Sequence, residues 1–157
     1  MNDMLDLDAL YDIASDRDII VVNSSLTENK KAASISAPDI DVIVLDRKRI
    51  RSRREERMLV AEEVALHITG AMQLITSTLN SPVERLTRFK IENKARRCAL
   101  QLVIPFDELC KQIPKHSYDG ELDIYELSEF FDVDAPYILY AIDTYITMGM
   151  MSPKGCI

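Results

Sequence analysis

Between Met58 and Met72 the only charged or titratable side chains are Glu62, Glu63 and His67. Ala61, Val64, Ala65, Ile68, Met72 and Ile75 recur at helical spacing, which predicts a helix from about Ser52 to about Ile75. Ser52, with Glu55 three residues on, has the form of a capping box and marks the start. A helix this apolar cannot give one whole side to water, so the rest of the chain has to cover most of it. The sequence has 157 residues, enough to build one core around such a helix without disulfide or metal staples.

The segments on either side supply the cover. Leu7, Leu10, Tyr11, Ile13 and Ala14 fall at helical spacing and predict a first helix over Leu5 to Asp16. Ile19-Ile20-Val21-Val22, Ala32 to Ser36 and Asp41 to Leu45 predict three short strands, the last two joined by a turn at Ala37-Pro38-Asp39. After a break at Asn80-Ser81-Pro82, Ile91, Ala95, Cys98, Ala99 and Leu102 predict a helix over Val83 to Val103, stopped by Pro105. Asp107 to Gln112 reads as a short helix and Pro114 to Gly120 as a loop. Asp123 to Met148 reads as two helices joined at Asp132-Val133-Asp134, with Asp134 as N-cap and Pro136 in the first turn. The fold class is α+β, with a soft domain boundary near Lys115: residues 1–115, then a helical part, 116–157, packed on them as one compact unit.

Composition excludes several functions. No apolar run is long enough to span a membrane. The acidic start, Met1 to Asp6, lacks the basic and apolar regions of a signal peptide, so a cytoplasmic location is expected. Cys98, Cys110 and Cys156 form no C-x-x-C pair, so reduced thiols are expected, with Cys98 and Cys110 in the core and Cys156 at a mobile end. Two histidines, His67 and His116, are too few for a site built on several. The net charge of −7 disfavours nucleic-acid binding by the chain as a whole.

Carboxylates in an apolar helix are costly unless paired or bound to a cation. Spacing leaves two readings open. One or both of Glu62 and Glu63 face solvent while Glu92 pairs with Arg96 one turn on, or the carboxylates are paired or hold a cation.

Val60-Ala61-Glu62-Glu63-Val64-Ala65-Leu66-His67 resembles the active-site helix of the ImmA/IrrE metallo-endopeptidases, anti-repressor proteases of phages and mobile elements and their stress-response relatives. That helix carries H-E-x-x-H, two metal-binding histidines one turn apart with a glutamate that activates water. Glu92 to Pro105 is similar to the family's E-x-x-A-x-x-x-A-x-x-L-x-x-P, with Ala95, Ala99, Leu102 and Pro105 in register. Leu10 to Ala14, Arg54 to Arg57 and Tyr125 to Val133 are similar too, so the resemblance covers nearly the whole chain. It implies a zincin-like core with a helix-turn-helix-like tail, a zinc ion, and action on a helix-turn-helix repressor.

The metal motif departs from the family. Glu62 stands where the first histidine belongs, and a carboxylate can bind zinc. Glu63 matches the catalytic base, and Glu92 the third ligand. Leu66 stands where the second histidine belongs and cannot coordinate. His67, about 100° further around the helix, could substitute only through a π-bulge or shifted register. Two carboxylates suit Mn²⁺ or Mg²⁺ better than zinc. The expectation is a degenerate peptidase that binds a repressor rather than cutting it; the alternative is an active metal-dependent endopeptidase.

Arg47 to Arg57 holds seven Lys or Arg residues and reads as a solvated loop and helix entry, with partner docking as the minor option. The helix pair after Ser117 has the look of a helix-turn-helix. Ser117 to Pro153 nevertheless contains no Lys or Arg and eight Asp or Glu residues, which would repel phosphates. An acidic surface of this kind suits a basic repressor, and no direct DNA binding is expected. His116 reads as a surface loop residue.

Overall fold

The computed structural model describes residues 4–27, 29–71 and 81–156. The fold is α+β. Two compact units divide between Ala99 and Leu100.

The first unit begins with helix α1 (Leu7–Asp16), capped by Asp6, whose carboxylate accepts from the Ala9 N–H at 2.8 Å. Strands β1 (Ile19–Asn23), β2 (Ala32–Ala37) and β3 (Ile40–Leu45) form a sheet of order β1-β3-β2. β1 runs parallel to β3, and β2 antiparallel to it. Helix α2 (Arg53–Ile68) packs on α1, β2 and β3. Leu10 and Ala14 of α1, Ile43 and Leu45 of β3, and Val60, Ala61, Val64 and Ala65 of α2 are completely buried. The central helix is therefore covered as its apolar character requires.

Both ends of α2 have local causes. Ser52 Oγ accepts from the Glu55 N–H at 3.1 Å. The Glu55 carboxylate does not reach back to Ser52. It accepts from the Arg51 N–H at 2.6 Å and pairs with Lys31. These contacts, the Lys31 hydrogen bond first, hold its pKa down at about 2. The helix ends earlier than the apolar pattern predicts. Gly70 adopts a left-handed φ of 69°, and the Gly70 and Ala71 N–H groups bond back to the His67 and Leu66 carbonyls, the paired bonds of a glycine-terminated helix. The expected continuation through Met72 and Ile75 lies outside the described residues.

Register assigns the two faces of the sheet. Ile19, Val21, Ile43 and Leu45 point towards the helices, with Ser34, Ser36 and Asp41 beside them. Ile20, Val22, Ala33, Ile35, Ile40, Val42 and Val44 point the other way. The polarity of β2 is thus inverted: its serines face the helix side, and Ile35 faces outward, 51% exposed.

Helix α3 (Pro82–Val103) crosses the division. The second unit continues with α4 (Phe106–Gln112), a 3₁₀ turn (Ile113–His116), the hairpin β4 (Ser117–Tyr118) and β5 (Glu121–Leu122), helices α5 (Ile124–Phe131) and α6 (Ala135–Thr147), and the hairpin β6 (Met151–Ser152) and β7 (Gly155–Cys156). The Pro114 to Gly120 segment, expected as a loop, is therefore largely structured. Asp123 caps α5 by accepting from the Glu126 N–H at 3.0 Å. Asp134 begins α6 without a side-chain capping bond. Tyr145 is fully buried; its hydroxyl donates to the Ile104 carbonyl at 2.7 Å, and its ring meets Phe106 edge-on at 5.2 Å. These contacts tie the end of α3 and the start of α4 to α6.

The cysteine expectation is corrected. Cys110 and Cys156 form a disulfide with Cα atoms 5.8 Å apart, and Cys98 is free. Neither Cys110 as a core thiol nor Cys156 as a mobile end survives. The partners are 46 residues apart, and only the β6–β7 hairpin brings Cys156 to α4, so spacing carried no sign of the pair. Among the described residues no helix is long and apolar enough to cross a membrane. Thiol titration of the unfolded, unreduced protein is expected to find the Cys98 thiol alone, and reduction is expected to release all three. Three thiols before reduction would show that the pair does not form.

Candidate functional site

Glu62, Glu63 and Leu66 of α2 share the lining of a cavity of about 370 Å³ with Glu92, Ala95 and Arg96 of α3 and with Lys30, which precedes β2. Helical geometry explains the grouping: Glu62 and Leu66 lie one turn apart on α2, and Glu92, Ala95 and Arg96 lie within one turn of each other on α3.

Each carboxylate is held differently. Ser34 of β2 donates a hydrogen bond to Glu63 Oε2 at 2.5 Å. Burial pushes the Glu63 pKa above the ordinary carboxylate value, and the Glu62 charge pushes the same way. The Ser34 bond and the Lys30 charge oppose the rise without cancelling it. Glu92 accepts from the Arg88 guanidinium at 3.0 Å, one turn back along α3. Its partner is therefore Arg88, whereas the spacing suggested Arg96, which lines the cavity. Lys30 and Arg96 place positive charge among the three carboxylates.

His67 is not among the cavity-lining residues. α2 is regular α-helix through its whole length, so the distortion that would bring His67 into Leu66's place is absent. The imidazole turns towards β3, with Nδ1 3.7 Å from Asp41 Oδ1 and only 5% of the side chain exposed. Ser36 Oγ donates to the same Asp41 oxygen at 2.6 Å. Nε2 is buried and has no hydrogen-bond partner among the described residues. Burial lowers the His67 pKa, against the smaller upward pull of Asp41.

A zinc centre normally takes three protein ligands, commonly with imidazole among them. Here Leu66 stands one turn from Glu62, Arg88 engages Glu92, and Ser34 engages Glu63. Among the described residues no three His, Cys, Asp or Glu side chains are grouped so as to hold a metal ion. The described lining of the cavity offers carboxylates and no imidazole. Its balance of three carboxylates against Lys30 and Arg96 suits a polar cleft that recognises charged or hydrogen-bonding groups.

The second unit holds a separate polar cluster. Glu126 Oε2 lies 3.0 Å from His116 Nδ1 and accepts from the Tyr118 hydroxyl at 2.9 Å. Those two hydrogen bonds, His116 first, lower the Glu126 pKa. His116 is thus tied to α5 rather than standing free in a loop.

Sequence reasoning identified Glu62, Glu63, Leu66 and Glu92 but missed Ser34, Lys30 and Asp41. Ser34 and Ser36, two residues apart in a strand, were the available sign that one face of β2 meets polar groups. Compared with known protein families, characterised proteins and solved structures, the chain has no significant match.

The raised Glu63 pKa sets a test. Between the ordinary carboxylate pKa and the higher folded value, the folded state keeps a proton that the unfolded chain has released. Stability therefore falls as pH rises through that window. Glu63→Gln keeps an acceptor for Ser34 and removes the charge. It is expected to raise the melting temperature by ~2–4 °C at neutral pH, with the gain vanishing below about pH 4. A gain that persists at low pH, or a loss at neutral pH, would show that Glu63 is ionised at no cost.

Proposed function

We propose that this protein is a degenerate relative of the ImmA/IrrE metallo-endopeptidases, with a zincin-like core, that relieves repression in a phage or mobile element. It binds a helix-turn-helix repressor in the cytoplasm and does not cut it. The observation that carries the reading is the cavity. Glu62, Glu63 and Glu92 line one cleft between two helices, as the motif resemblance implies, and Leu66 occupies the lining where the family's second histidine would stand. The arrangement keeps the cleft and lacks an imidazole ligand.

The acidic second unit supports a basic partner. Glu126, Glu129, Asp132 and Asp134 are exposed on or beside α5 and α6, with no Lys or Arg between Ser117 and Pro153. Such a surface steers towards a positively charged, DNA-binding face and away from DNA itself. A direct DNA-binding role is disfavoured on the same ground. An active endopeptidase is the second reading. It draws on the raised Glu63 pKa, which suits a general base, and lacks a donor set to go with it.

Two substitutions separate the readings. In isothermal titration with zinc, the wild-type chain is expected to show no tight site. Leu66→His restores an imidazole one turn from Glu62 and is expected to gain at least tenfold in affinity. Tight zinc binding by the wild type, lost in Glu92→Ala, would favour the active enzyme. Reversing Glu126, Glu129 and Asp132 to Lys is expected to weaken repressor binding by about tenfold or more. Unchanged binding would remove the acidic surface from the account.

A further inference from the structure

The face of the sheet turned away from α1 and α2 carries only apolar side chains over the paired positions of all three strands. Ile20 is 49%, Val22 38%, Ile35 51% and Ile40 46% exposed. Register places Ile20 and Ile35 on either side of Val42, and Val22 beside Val44. A half-exposed isoleucine is ordinary. Four β-branched residues side by side on one sheet face are a patch, and patches mark interfaces. The inverted polarity of β2 sharpens the point. A shift of one residue would turn Ile35 inward and the serines outward. The observed register is instead pinned by Ser34 on Glu63 and Ser36 on Asp41. Val44 on this face is itself buried, 7% exposed, so the open patch is formed by Ile20, Val22, Ile35 and Ile40 around it.

Charge at the two ends of the sheet indicates the occupant. Asp18 precedes β1 and Asp39 lies in the β2–β3 turn, so both stand at one end. Lys48 and Arg49 follow β3 at the other end. The Arg47 N–H on Asn23 and the Asp46 N–H on the Lys31 carbonyl tie that end together. Arg17 stands beside Asp18, and Arg49 pairs with Asp46 at 3.4 Å; counting these, the first end keeps a net negative charge and the second a net positive one. We infer that this face binds a second copy of the chain, sheet against sheet, about a two-fold axis lying between the sheets and perpendicular to the strands.

That axis reverses strand direction, so the acidic end of each copy lies over the basic end of the other. An axis parallel to the strands would stack like charges and is disfavoured. Sheets packed face to face lie about 10 Å apart with interdigitating side chains, a spacing β-branched residues fill well. Three strands of this length give a footprint of roughly 15 by 20 Å per copy. That is well below the roughly 800 Å² per partner of a standard interface. The dimer is accordingly weak, and its charged rims set both register and affinity.

Sedimentation over about 10–100 µM tests this. The wild-type chain is expected to pass from monomer towards dimer in that range. Ile35→Lys is expected to remain monomeric with an unchanged melting temperature, because the side chain is half exposed. Ile35→Val, as the conservative control, is expected to dimerise. Asp18→Lys with Asp39→Lys, and separately Lys48→Glu with Arg49→Glu, are each expected to weaken the dimer by about tenfold or more. An equimolar mixture of those two double variants is expected to recover wild-type affinity, because both rims of the heterodimer again pair opposite charges. A wild-type chain that stays monomeric overturns the proposal, and so does a mixture that fails to recover. A monomeric chain whose repressor binding is abolished by Ile35→Lys would assign the face to a different protein and likewise overturn it.

Discussion

A carboxyl group inside an apolar helix has to find a partner or lose its charge, and Glu63 does some of both. Ser34 supplies the hydrogen bond, and burial raises the pKa. The bond reaches from the central helix to an edge strand, so it fixes more than a proton. It sets which face of β2 meets α2, and β2 follows with its serines inward and Ile35 outward. Asp41, next to β2 on β3, takes the second serine and faces His67. The helix side of the sheet is thus partly polar near α2 and apolar beneath α1, while the outer side is wholly apolar.

The same geometry decides what the cavity can do. Leu66 lies one turn from Glu62 and faces the same cleft, giving it an apolar side chain between the carboxylates. His67, one residue on, is carried around the helix to β3 and buried there. The surrounding charges have become a network: Arg88 on Glu92, with Lys30 and Arg96 in the lining. A cleft of this kind can hold a peptide segment or a polar side chain through hydrogen bonds and charge. Among the described residues no histidine lines it.

Much of the fold was legible because its signals are local. The three strands fall within a residue of the short β-rich runs that predict them, and α1 and α3 follow the apolar periodicity closely. The start of α2 was readable from Ser52 and Glu55. Its end was not, because apolar residues continue past Gly70 and only the left-handed backbone of that glycine shows the stop. The Cys110–Cys156 pair and the β6–β7 hairpin depend on tertiary proximity across 46 residues, which no spacing rule reaches. At the site, the grouping of Glu62, Glu63, Leu66 and Glu92 followed from helix spacing and motif resemblance. The Ser34 partnership and the choice of Arg88 over Arg96 depended on how β2 and α3 are oriented.

On the proposed reading, the chain engages a repressor through its acidic unit and its cleft without cutting it. The most direct test of that reading is to incubate the protein with the helix-turn-helix repressor of its own genetic neighbourhood, with and without added zinc, and to read intact masses after separating the complex. The account predicts a co-eluting complex in which the repressor keeps its full mass under both conditions. Two repressor fragments whose masses sum to the intact chain plus one water, formed with zinc and abolished by Glu63→Gln, would contradict it.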